Sequence, residues 1–160
     1  MSNKIIIRTL AIALLAAVAC LMGPSPNARA VDTETTRDAP DLTAVRAKIK
    51  AKEWKAALAD LNGMVDKGVQ HADVYNLIGF SLRKSGDLKT AYTFYRKALE
   101  FDPDHKGALE YLGELYVETG ELGKAREHVA LLRKLCPSGC EELEDLEKAI
   151  AQTAAAPKTR

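Results

Sequence analysis

Cys136 and Cys140, spaced as Cys-Pro-Ser-Gly-Cys, are the residues of this chain best suited to covalent chemistry. Two thiols at this spacing support three kinds of it. In an oxidising compartment they close a disulfide, and an even number of cysteines in an exported chain favours that outcome. A thiolate at the start of a helix is stabilised and its pKa lowered, which suits redox exchange, although C-x3-C departs from the usual C-x-x-C of redox helices. A metal site is the weakest of the three, because two cysteines supply half of a tetrahedral zinc shell and His128 would have to reach round from the outer face of its helix. The other two histidines, His71 and His105, are expected to be solvated loop residues lying too far apart to share a ligand.

No nucleophile motif and no glycine-rich phosphate loop accompany these residues, and the carboxylates fall on polar helix faces with no device for shifting their pKa. The expectation is a protein without enzymatic activity, cofactor or metal.

The elements that must position the cysteines are helices. Tyr75, Ile78, Gly79 and Leu82 share one face of a helix, Ala91, Tyr95 and Ala98 share one face of a second, and Pro103 closes the unit. Gly79 and Ala91 remove side-chain bulk where two antiparallel helices cross. The pattern returns 34 residues later at Leu109, Leu112, Gly113, Tyr116, Ala125, Val129, Leu132 and Pro137, with Gly86 and Gly120 recurring in the turns. A degenerate copy comes before it. There Trp54, Ala57, Leu61 and Met64 keep the phase of the later units, while Leu42, Val45 and Ile49 sit one residue late, which predicts a turn shortened by one residue before Trp54.

A last helix is expected over residues 139–153, opened by Ser138 and Glu141 as a reciprocal capping pair. Leu143, Leu146, Ala149 and Ile150 form its apolar stripe, which should cover the open face of the preceding unit. Glu141, Glu142, Glu144, Asp145 and Glu147 favour the positive end of its dipole.

The eight recurrent positions resemble the signature of the tetratricopeptide repeat, a helix-turn-helix unit of 34 residues. The resemblance implies an all-α fold: a right-handed superhelical array of about three units, over 40–71, 72–105 and 106–137, plus the C-terminal capping helix. It implies a non-enzymatic interaction module or adaptor that holds a segment of a partner protein on a concave surface lined by the first helix of each pair. By position, the groove residues are Lys50 in the first unit, Asp73, Asn76, Phe80, Arg83 and Lys84 in the second, and Gly107, Glu110, Glu114, Val117 and Glu118 in the third. Their signs suggest a basic wall and an acidic wall with Phe80 as an exposed anchor between them. Relatives that clamp the carboxylate terminus of chaperones use Lys, Asn and Arg at set positions. Here Asn76 lies one residue off that pattern and Glu110 and Glu114 stand where a cation would help, so that specialisation is not implied.

Residues 1–30 carry Lys4, Arg8 and Arg29, no acidic residue, and an apolar run from Leu10 to Met22. This reads as a signal peptide cleaved after Ala30. The run falls short of the roughly 20 residues a membrane-spanning helix needs, so no span is expected in the mature chain. Ala17-Val18-Ala19-Cys20 offers the alternative of lipidation at Cys20, although it lacks the usual leucine three residues before the cysteine. Cleavage leaves 20 basic and 22 acidic residues, a net charge of −2, without the basic excess that nucleic-acid binding requires. Residues 31–39 read as a flexible linker, 40–153 as the folded domain and 154–160 as a disordered tail. The expected setting is the bacterial cell envelope, as a periplasmic or a lipid-anchored protein.

Overall fold

The computed structural model describes residues 39–155, with side chains to residue 153. The expected signal peptide, Cys20, all but the last residue of the linker, and residues 156–160 lie outside them. Among the described residues the regular elements are all helices: α1 (Thr43–Lys50), α2 (Trp54–Asp66), α3 (Ala72–Lys84), α4 (Leu88–Phe101), α5 (Lys106–Glu118), α6 (Leu122–Leu135) and α7 (Glu141–Ala155). They form three consecutive pairs followed by α7. Each odd-numbered helix from α3 onward packs on the helix before it, and α3 and α5 pack on the helix after as well.

The small residues set the closest approaches. A Cβ at Gly79 would sit 2.7 Å from the ring of Tyr95, and one at Gly113 would sit 2.5 Å from Leu146. The glycines therefore let large side chains of neighbouring helices press against bare backbone. Around them Tyr75, Ile78, Ala91, Tyr95 and Ala98 are fully buried, and Leu109, Leu132, Leu143 and Leu146 carry the core into α7. Leu143 and Leu146 stand 34 residues after Leu109 and Leu112, so α7 occupies the place of the first helix of a fourth unit.

The first unit differs from the expectation. Its turn is not shortened: Ala51, Lys52 and Glu53 link α1 to α2 as Ser85 to Asp87 link α3 to α4 and Thr119 to Glu121 link α5 to α6. Each turn places its middle residue at positive φ, +60° for Lys52, +91° for Gly86 and +78° for Gly120. Lys52 takes this conformation where the later units use glycine, and the backbone hydrogen bonds around it close the turn regardless. What shifts is the buried face of α1. Val45 fills the position of Gly79, because the facing residue in α2 is Leu61 rather than a tyrosine.

The start of α7 also departs from the capping-pair expectation. Gly139, at φ +91°, turns the chain after Ser138, so the helix begins at Glu141, two residues later than a Ser138 cap requires. The helix then continues to Ala155, so residues 154 and 155 belong to it rather than to a disordered tail.

Candidate functional site

The first helices of the pairs, with α7, line two concavities. One lies where the helices begin. It has a volume of about 290 Å³ and is bounded by Arg46 of α1, Asp73, Asn76 and Leu77 of α3, His105, Gly107, Glu110 and Tyr111 at α5, and Glu141, Glu142 and Asp145 of α7. The other, about 400 Å³, lies toward the helix ends between Arg83, Lys84, Glu114, Val117, Glu118, Ala149, Gln152 and Thr153. Phe80 and Tyr111 stand between α3 and α5 with ring centroids 4.8 Å apart.

Two histidines hold the first concavity open. His71 caps α3, its Nδ1 accepting from the Asp73 backbone N–H at 3.2 Å. His105 caps α5 in the same way from Ala108 at 3.0 Å. With its Nδ1 used as an acceptor, neutral His105 carries its proton on Nε2, which donates to Asp73 Oδ1 at 3.2 Å. Asp73 also faces His71 and Arg46, at 3.5 and 3.7 Å. The hydrogen bond from His105 outweighs burial and holds the Asp73 carboxyl below its usual range. The histidines are therefore helix caps meeting at one carboxylate, and not distant loop residues. The repeat itself brings them together, because successive units stack with equivalent positions side by side.

Glu110 behaves in the opposite way. It is only 7% exposed, and burial, reinforced by Glu114, Asp145 and Glu142, pushes its carboxyl up to about 8. The carboxylates of this face thus do include one with a strongly displaced pKa. The device is the packing of α7 against α5, which brings a second set of acidic residues to the first.

The second concavity is knitted by Arg83. Its side chain is 2% exposed, with Nη1 2.9 Å from Glu118 Oε1 and Nη2 bonded to Glu114. Burial opposes its charge, but Tyr95, Glu114 and Glu118 hold the guanidinium above its ordinary pKa. Its Cζ lies 5.9 Å from the Phe80 ring centre and 5.8 Å from that of Tyr111. Separate basic and acidic walls are therefore not observed. Adjacent first helices lie side by side, so the opposite charges of α3 and α5 meet as ion pairs. Phe80 is half-buried against Tyr111 and Trp54 rather than standing free as an anchor. Of the remaining residues expected in the groove, Lys84, Val117 and Glu118 line the second concavity, and Lys50, exposed at the end of α1, lines neither. Arg46, Tyr111, Glu142 and Asp145 were not expected there. Equivalence of α7 to the first helix of a repeat is the signal that would have found its two.

Cys136 caps the end of α6 and is buried, and Cys140 immediately precedes α7. Their sulfurs lie 2.28 Å apart and their Cα atoms 5.8 Å apart. His128 points elsewhere: its Nδ1 donates to the Leu109 carbonyl at 2.8 Å, and burial lowers its pKa.

Comparison with known proteins agrees with the architecture. Residues 82–136, from the end of α3 to the end of α6, match the tetratricopeptide repeat family. The repeating helix pairs are tetratricopeptide repeats. The uncharacterized protein ycf37 of Pyropia yezoensis is 36% identical over 66 residues, which is 41% of this chain and 36% of that protein. BBSome complex member BBS4 of Bos taurus is 38% identical over 60 residues, covering 38% of this chain and 12% of that one. Cellulose synthase 2 operon protein C of Komagataeibacter xylinus is 31% identical over 96 residues, 60% of this chain and 7% of that one. The chain therefore spans about a third or less of the length of these relatives. Tetratricopeptide repeats generally mediate protein–protein interaction and are typically non-enzymatic.

Proposed function

We propose that this protein is a non-catalytic adaptor that holds an extended or helical segment of a partner protein across the face formed by α3, α5 and α7. The observation that carries the reading is the pair of concavities on that one face, separated by Phe80 and Tyr111. Such a surface presents side-chain-sized recesses at intervals along a rigid support, the arrangement by which helical repeats recognise peptides. Lys84, Val117, Glu118 and Gln152 are the side chains of the second recess offered to the partner. Arg83 is committed to its ion pairs, so its substitution tests the fold rather than the groove.

The proposed setting is the bacterial envelope. Support comes from the leader-like pattern of residues 1–30 and from Cys136 and Cys140, placed where a disulfide would tie the last repeat to its capping helix. N-terminal sequencing and mass measurement of the exported protein separate cleavage after Ala30 from acylation at Cys20. For the groove itself, a photo-activated crosslinking amino acid introduced at Lys84, Val117 or Gln152 should trap a partner protein in intact cells. The same group at Lys89 or Arg126, on α4 and α6, should not. Crosslinks confined to the α4 and α6 positions would overturn the assignment.

A further inference from the structure

We propose that the concavity at the helix starts is a socket for an arginine side chain of the partner segment, an inference that rests on the adaptor role proposed for this face. The wall of the cavity contains an acceptor without a donor. Asn76 is 5% exposed and its Oδ1 has no hydrogen-bond partner among the described residues. A buried acceptor left unpaired is costly, and a donor arriving from a ligand removes that cost. Gly107 keeps the approach clear, since a Cβ there would stand 3.1 Å from Asn76 Nδ2.

The charge around Asn76 defines the donor. Glu110, Glu142 and Asp145 face the cavity, and among the described residues none of them is held in an ion pair. The nearby cations are otherwise engaged, Arg46 and His105 with Asp73 and Arg83 with Glu114 and Glu118. A cation entering the cavity would meet uncompensated negative charge and an open acceptor together. The resistance of Glu110 to ionisation reports the same lack of a countercharge.

The spread of the groups selects an organic cation. Among the described residues no three His, Cys, Asp or Glu side chains converge closely enough to hold a metal ion. A guanidinium presents five N–H donors in a plane, enough to reach Asn76 Oδ1 and two carboxylates at once, whereas an ammonium has three. Leu77 and Tyr111 supply apolar surface for the stem of the side chain.

The test titrates the isotope-labelled full chain with Nα-acetyl-arginine N-methylamide and, separately, with the citrulline counterpart, which has the same shape without the charge. Expected are saturable shifts centred on Asn76, Gly107 and Glu142, with citrulline binding about tenfold more weakly or worse. Glu110→Gln and Asn76→Leu should each weaken arginine binding by about fivefold or more with helicity unchanged. Equal binding of the two compounds, shifts scattered over other acidic surfaces, or calcium competing at lower concentration than the arginine compound would overturn the proposal. Should arginine fail here while crosslinks from Lys84 and Val117 still trap a partner, the socket alone is refuted. Failure of both removes the adaptor role as well.

Discussion

Glu110→Gln should stabilise the protein at alkaline pH and leave its stability nearly unchanged in mild acid. The carboxyl titrates at about 8 in the folded chain against an ordinary value of 4.5, because it is buried and faces Glu114, Asp145 and Glu142. As pH rises the unfolded chain therefore gives up this proton first. The wild-type protein keeps its full stability from this group below the ordinary value, and loses it progressively until the pH has passed the folded one. At 1.36 kcal/mol per pH unit the displacement corresponds to at most roughly 5 kcal/mol. Water entering the cavity screens the carboxylate and reduces this to about 2 kcal/mol. Glutamine has the shape of the protonated acid and no charge to lose. Urea unfolding followed by circular dichroism, on both proteins at about pH 5 and about pH 9, isolates the effect, because every other titrating group is common to the two. A difference near zero at the lower pH that grows to about 2 kcal/mol in favour of glutamine at the higher one is expected. A difference that stays flat with pH, or a wild type that is the more stable at the higher pH, would show that Glu110 is ionised throughout and that the cavity is not desolvated.

Three further outcomes follow from the packing. Lys52→Gly should raise stability by about 0.5–1 kcal/mol, the relief of the left-handed backbone exceeding the entropy glycine adds to the unfolded chain; a loss would mean the lysine side chain itself holds the turn. Gly79→Ala should cost about 1–3 kcal/mol, since the new methyl meets the buried Tyr95 ring, and thermal unfolding measures it. Replacing Cys136 and Cys140 together by serine should lower stability by roughly 2 kcal/mol, the loop-closure value for so short a ring. Thiol titration of the denatured exported protein should find no free thiol, and two reactive thiols would favour the redox alternative instead.

Much of the fold was legible in advance because it rests on local repetition. Tyr75, Ile78, Gly79, Ala91, Tyr95 and Ala98 declare two helix faces and their point of contact, and their recurrence sets the stacking. The first unit was misjudged where a single residue broke the pattern. Lys52 adopts a glycine conformation without being glycine, so the turn looked shorter than it is. The cap was misjudged at its start for a similar reason. Ser138 and Glu141 have the spacing of a capping pair, but Gly139 bends the chain between them.

The candidate site was legible by position and not by chemistry. Asp73, Asn76, Glu110, Val117 and Glu118 were placed on the right helices by the 34-residue phase, yet what each one does depends on partners from other helices. Arg83 reads as a free cation in sequence and is a buried staple in the fold, because Glu114 and Glu118 lie beside it on α5. His105 reads as a loop residue and instead caps α5 while bonding Asp73 on α3.

By itself, then, the sequence determined the helices, their pairing and which faces they bury, since apolar periodicity and the placement of small residues act within one unit or between neighbours in the chain. Only the tertiary structure decided the electrostatics of the concave face. Charge interactions fall off with distance through space, and α7 brings Glu142 and Asp145 against Glu110, leaving its carboxyl reluctant to ionise and the Asn76 acceptor unpaired beside it.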